Sequence, residues 1–250
     1  SVCVTGLVVV DTFSYWSLFG KGVILILIQI GGLGIVSIIT LFMLLLRMKI
    51  TLKSTMLLQD AFNLNSKQGL LKFTIKVIKG TFLIEGIGAF IYSFYYCREY
   101  GFLKGIWFSV FHAVSAFCNA GIDIMGADSL ISYHSNLLMI LNTSFLIIMG
   151  GIGFIVWWDT VEAFRRIRTK KCSIRSAWNG VHLQTKIAIF MTLLLLIGGT
   201  IVIYVLERSN PDTLGNLSEK DRILNAFFQS VTLRTAGFAA VPQAALRPVT

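Results

Sequence analysis

Charge, acid side chains, histidine and paired cysteine are what this chain has least of. Only 14% of its 250 residues are charged, against roughly 25% in a soluble globular domain. A water-covered surface is therefore excluded for most of its length. The four cysteines, Cys3, Cys97, Cys118 and Cys172, show no Cys-x-x-Cys spacing, so neither a zinc site nor a disulfide framework is suggested. Twelve acids and three histidines form no nucleophile–base pair, metal-ligand cluster or phosphate loop, and no catalysis is expected. There is no initiator Met and no signal peptide, so the chain is expected to be a piece of a longer protein. What is there is apolar: 55% of residues, with a mean hydropathy of +0.76. The net charge of +10 does not point to nucleic acid, because no basic patch is built. The bases sit between apolar runs, as in loops facing the cytoplasm.

Those runs define an all-α membrane protein. At about 1.5 Å rise per residue, some 20 residues cross the hydrocarbon. Gly22 to Arg47, Phe73 to Cys97, Asn136 to Trp158 and Ile187 to Leu206 are long enough. Arg47, Lys49 and Lys53 mark an inner end, and Thr51 to Lys72 reads as a helix on the membrane surface. Ile106 to Phe117 is apolar but only 12 residues long, too short to span. Topology agrees. The stretches 51–72 and 165–186 are both basic, so both belong inside, and an even number of crossings must separate them. Phe73–Cys97 and Asn136–Trp158 supply two. The short helix must enter from outside and return. Ile223 to Leu233 repeats the device.

After each half-helix comes a loop of small or β-branched uncharged residues ending in glycine: Cys118-Asn119-Ala120-Gly121 and Thr235-Ala236-Gly237. A third copy, Val4-Thr5-Gly6, opens the chain. The glycines recur after 115 and then 116 residues, the mark of one unit used repeatedly. Irregular backbone at membrane depth is tolerated where it lines a wet cavity or is buried in protein. The C-terminus of a half-helix carries about half a negative charge. Bare carbonyls beside it suit a cation, as in potassium filters.

These loops resemble the pore loops of the Trk/Ktr/HKT superfamily of potassium transporters. The likeness runs through Val4-Thr5-Gly6-Leu7, Phe111-His112-Ala113 to Gly121, and Phe228-Gln229-Ser230-Val231-Thr232 to Phe238. Glu85-Gly86-x-Gly88 and the Gly-Gly-x-Gly runs at 31–34 and 150–153 also fit, and the form of the first loop leans to the Ktr membrane subunit. The resemblance implies repeated units of transmembrane helix, re-entrant pore helix, filter loop and transmembrane helix, as in potassium channels. The chain then divides into 1–47 (loop and inner helix of unit 1), 48–72 (cytoplasmic linker), 73–164 (complete unit 2), 165–186 (basic linker) and 187–250 (outer helix, pore helix and loop of unit 3). The rest of unit 3 and unit 4 fall outside the chain. K+ would bind through backbone carbonyls of Val4, Thr5, Gly6, Cys118, Asn119, Ala120, Gly121, Thr235, Ala236 and Gly237. The resemblance also implies a multi-pass protein of the plasma membrane, with its filter loops extracellular. It implies K+ as cargo, Na+ as a candidate coupling ion and no covalent cofactor. It further implies a homodimer and a cytosolic nucleotide-binding regulatory ring.

Some side chains carry two readings. Asp11 and Asp123 follow their loops and either concentrate cations at an outer mouth or are solvated. Glu85 lies at membrane depth, where acids are rare and usually paired. A structural partner such as a half-helix N-terminus is preferred to ion contact. His112 is expected to be buried and hydrogen-bonded. Arg234, beside the third loop, is expected to pair with an acid or repel ions. The Gly-Gly-x-Gly runs are expected to let helices pack or bend. Two other functions stay open: a secondary carrier whose broken helices bind substrate near the midplane, and a non-transporting membrane scaffold.

Overall fold

Long apolar runs with few caps have one way to satisfy their backbone in lipid, which is to stay helical. The computed structural model describes residues 2–6, 10–34, 67–126, 129–170 and 173–250, and these are helices, turns and loops without a strand. The helices are α1 (Thr12–Tyr15), α2 (Leu18–Leu33), α3 (Lys67–Tyr100), α4 (Phe102–Phe117), α5 (Leu137–Gly151), α6 (Phe154–Lys170), α7 (Ile174–Asn179), α8 (Leu183–Glu207) and α9 (Glu219–Thr232). The far half of the first expected span, Arg47, Lys49, Lys53, Lys171 and Cys172 lie outside the described residues. So do residues 51–66 of the expected surface helix, whose last residues, from Lys67, instead open α3.

Two described helices are long and apolar enough to cross a bilayer, Thr74–Tyr100 with 27 residues and Leu183–Glu207 with 25. Their lipid-type surface is visible in Phe82, Leu83 and Phe90 on α3 and Leu193, Leu194, Leu195 and Ile197 on α8, all exposed. Asn136 to Trp158 is not one straight span. It breaks between Leu137–Gly151 and Phe154–Thr169 with a bend of 100°. Gly153, at φ +94° with open space around it, supplies backbone angles that a side chain resists. Trp157 Nε1 donates to the freed Met149 carbonyl at 2.9 Å.

The described residues form two units, Ser1–Ala127 with Thr235–Gly237, and Asp128–Arg234 with Phe238–Thr250. In the first, α3 turns back into α4 at Gly101 (φ +80°). Gly105 lets the two helices touch: a Cβ there would lie 2.5 Å from the Cys97 backbone. Aromatic rings fill the seam. Tyr92 stacks on Tyr96 with centroids 5.6 Å apart, and Tyr100 meets Phe108 at 4.9 Å. From Phe108 to Phe117 every residue of α4 except Val110 is buried.

In the second unit α9 packs against α5 and α8. Ser218 caps α9 by accepting from the Asp221 amide at 3.3 Å, and Glu219 and Asp221 in its first turn suit the positive end of the helix dipole. Its buried face runs from Asn225 to Thr232. Gly199 makes room on α8 for Ser230, whose hydroxyl donates to Leu196 O at 3.0 Å. Ile203 on α8, Ala226 on α9, Leu214 and Val241 close a small apolar core.

Candidate functional site

Three short pieces of chain share an uncommon backbone. In each, the glycine and the residue two before it have positive φ: Val4 (+51°) and Gly6 (+70°), Asn119 (+56°) and Gly121 (+62°), Thr235 (+75°) and Gly237 (+80°). Val4 and Thr235 are β-branched, for which positive φ is a true outlier. Such strain costs about 1–3 kcal/mol per residue and persists where surroundings over-determine it. In an ordinary strand successive carbonyls point to opposite sides. Reversing φ at alternate residues turns successive peptide groups the same way.

The three pieces lie together within the first unit. A Cβ built on Gly6 would sit 2.8 Å from Ala120 O and 4.0 Å from Gly121 Cα. One on Gly121 would fall on Ala236 O, 2.6 Å from Gly237 Cα, and one on Gly237 would lie 3.2 Å from Gly121 Cα. Backbone is packed on backbone, with no room for side chains. Ala120 and Ala236 are wholly buried, whereas Thr5, Thr235 and Gly237 are exposed.

The helix leading to the second loop ends in a hydrogen-bonded hook. Cys118 N donates to Val114 O at 2.9 Å and Ala120 N to Ser115 O at 2.8 Å. Ser115 Oγ then donates to Ile122 O, just past Gly121, at 2.5 Å. After α9 the same latch recurs. Thr232 Oγ1 donates to Phe238 O, just past Gly237, at 2.7 Å. Sequence reasoning missed both hydroxyls. Their only signal is a Ser or Thr in the last turn of each of the short helices α4 and α9.

Behind the loops α2 passes at close range. A Cβ on Gly31 would fall on Val2 O and lie 2.6 Å from Val4 Cγ2. One on Gly32 would fall on Cys118 Sγ. The two Gly-Gly-x-Gly runs thus serve two ends. At 31–34 they admit loop backbone, and at 150–153 they bend a helix. The last glycine of each has positive φ, +78° at Gly34 and +94° at Gly153.

The remaining expected residues are placed as follows. Glu85 is buried, and Gln29 Nε2 donates to its Oε1 at 3.0 Å, with Cys118 Sγ at 3.9 Å. Those partners replace the helix N-terminus expected for it, because Cys118 closes the C-terminal end of α4. His112 is buried, and its Nδ1 lies 2.9 Å from Phe108 O. A carbonyl only accepts, so Nδ1 carries the proton. Asp11 caps α1, accepting from Phe13 N at 3.2 Å and Ser14 N at 3.0 Å. A hydrogen bond from the Ser14 side chain, foremost, with the Phe13 and Ser14 amides after it, holds its carboxyl below the usual range. Asp123 accepts from Met125 N at 3.3 Å. Arg234 donates to the neutral Thr192 hydroxyl at 3.3 Å rather than to the acid expected. Among the described residues no group of three or more His, Cys, Asp or Glu could hold a metal ion. The loops carry no charged side chain, and their oxygens are those of the peptide groups and of Thr5, Asn119 and Thr235.

Two described helices of spanning length and apolar character mark a membrane protein. The family profile of the cation transport proteins TrkH matches residues 1–250, and the chain belongs to that family. It is 42% identical over 241 residues to the potassium/sodium uptake protein NtpJ of Enterococcus hirae, covering 96% of this chain and 50% of that protein. It is 39% identical over 244 residues to the Ktr system potassium uptake protein B of Bacillus subtilis, covering 98% and 52%. The corresponding protein of Vibrio alginolyticus is 34% identical over 241 residues, covering 96% and 50%. The chain thus stands on the Ktr side of the Trk/Ktr superfamily, and spans about half the length of the curated relatives it matches.

Proposed function

We propose that the chain is part of the pore-forming subunit of a potassium uptake transporter, and that K+ sheds water onto the backbone carbonyls of the three glycine loops. The observation that carries this reading is the meeting of three loops with the same alternating φ. Fixed carbonyls can replace a hydration shell without adding a fixed charge that would hold the ion too tightly. The names of the Enterococcus, Bacillus and Vibrio relatives support potassium as cargo. A fourth loop, from the part of the protein beyond this chain, would complete the ring. The membrane potential supplies about 2.3 kcal/mol per charge per 100 mV, sufficient for uptake without covalent chemistry.

In this reading α4 and α9 are the re-entrant pore helices, entered from outside, and the chain divides into repeat units at the boundaries given above. The protein resides in the plasma membrane. Asp11 and Asp123 add negative potential near the loops. Sodium coupling, a homodimer and a cytosolic nucleotide-binding ring rest on the family resemblance. One observation favours a second reading, a carrier with discontinuous helices: the 100° break between α5 and α6. Its substrate would bind at the break, not at the loops.

Uptake by the full-length protein in cells lacking their own potassium systems separates the two. Gly121→Ser should abolish the preference for K+ over Na+ while protein still reaches the membrane. An unchanged preference would discard the filter in favour of the carrier.

A further inference from the structure

Glu85 lies within the spanning part of α3 at 4% exposure, and no ion pair among the described residues includes it. A carboxyl there is costly and its neighbours define its use. Its stronger bond is to Gln29 Nε2 at 3.0 Å, which ties α3 to α2. Its Oε2 has no hydrogen-bond partner among the described residues. Gln29 and Gly32 are three residues apart, so they share one face of α2. On that face Gly32 meets Cys118: a Cβ would fall on the thiol and lie 2.5 Å from Cys118 Cβ and 3.1 Å from its Cα. Cys118 Sγ also reaches back to Glu85 Oε1 at 3.9 Å. The next residue, Asn119, begins the positive-φ pair. Cys118 is therefore held between a carboxyl on one side and bare helix backbone on the other.

We infer that Glu85, Gln29 and Gly32 are positioning residues for the second loop. The carboxyl holds α2 against α3, and that contact sets how deep Gly32 lets Cys118 sit. The depth of Cys118 in turn fixes where the carbonyls of Asn119 and Ala120 stand. The inference rests on the filter reading above. It requires Glu85 as a hydrogen-bond acceptor, not as a charge.

The test uses the full-length transporter in potassium-deficient cells. K+ over Na+ preference and half-saturation for K+ are normalised to protein in the membrane. Glu85→Leu and Gln29→Leu each break the part-buried bond between α2 and α3 and leave one polar partner unpaired, and should lower the preference roughly tenfold. Glu85→Gln keeps an accepting oxygen and should retain it. Gly32→Ala should lower the preference, and Gly32→Ala combined with Cys118→Gly should restore most of it, because that change removes both the thiol and the Cβ that the new methyl meets and leaves only Cα, 3.1 Å away. A merely structural role would change abundance without this exchange. If Glu85→Leu never reaches the membrane, the Gly32/Cys118 pair decides alone. Retained preference in Glu85→Leu, equal damage from Glu85→Gln, or failed restoration overturns the inference when Gly121→Ala is itself damaging. If Gly121→Ala keeps the preference, the filter reading falls and this inference with it.

Discussion

Gly121→Ala is the most informative single change. Two costs can be read from the structure. At φ +62° an L side chain pays about 1–2 kcal/mol for the left-handed conformation. The new methyl would also fall on Ala236 O, 2.6 Å from Gly237 Cα and 3.0 Å from Ala236 C. These are backbone atoms that cannot rotate away. Overpacking of that kind costs about 1–3 kcal/mol more. The lower end of the sum, about 2 kcal/mol, is a factor of about 30 in population of the native loop arrangement. The same geometry ranks the three glycines. Gly6→Ala meets Ala120 O at 2.8 Å, and Gly237→Ala meets only Gly121 Cα at 3.2 Å. Loss of K+ preference should therefore fall in the order Gly121, Gly6, Gly237. Gly86, in the interior of α3 with nothing within 4 Å, is the control. Alanine there should be neutral or stabilising by up to about 1 kcal/mol. Competition uptake of K+ against Na+ by the full-length protein, scaled to membrane abundance, reads all four. The reasoning is refuted if Gly86→Ala is as harmful as Gly121→Ala, or if Gly237→Ala is the worst of the three.

The latch hydroxyls should behave alike. Ser115→Ala and Thr232→Val each lose one buried hydrogen bond, about 1 kcal/mol, and should blunt K+ preference, while Thr232→Ser keeps it. Glu207, fully buried at the end of α8, accepts from Thr213, Asn210, the Arg247 amide and Thr250. Glu207→Ala orphans several donors at about 1–3 kcal/mol each. It should lower the thermal midpoint in detergent and expose residues 247–250 to protease, and an unaltered midpoint would count against the clamp. Asp11 has a folded pKa below its ordinary value, so its capping contribution is present above the unfolded pKa, roughly 4, and is lost as pH falls through the folded one. Hydrogen exchange at the Ser14 amide should be flat near neutrality and accelerate relative to intrinsic rates only on acidification. Asp11→Asn, which can still cap, should remove that acid dependence.

Sequence alone determined the helical class, the places of α3, α8 and the short helices α4 and α9, and the loops that end in Gly6, Gly121 and Gly237. Lipid permits few backbone solutions, and hydropathy, run length and a repeating glycine register them directly. It also held the burial of His112 and the packing or bending use of the Gly-Gly-x-Gly runs. Which run did which was not legible. Gly31 faces the backbone of the first loop and Gly32 the Cys118 side chain, and Gly153 lies where a helix turns by 100°, yet their local sequences are nearly the same. Nor could spacing reveal that Glu85 would find Gln29, 56 residues away, or that Ser115 and Thr232 would latch the carbonyls beyond their glycines. Glu207, just past an apolar run, gave no sign in the sequence that it would be a buried acceptor. The bonds of Glu85 to Gln29 and of Glu207 to Arg247 and Thr250 join residues 40 or more apart and are decided by how helices pack, while the latches depend on how the chain turns after each helix. A residue's period along the chain records which face is apolar, but not which neighbour comes to cover it.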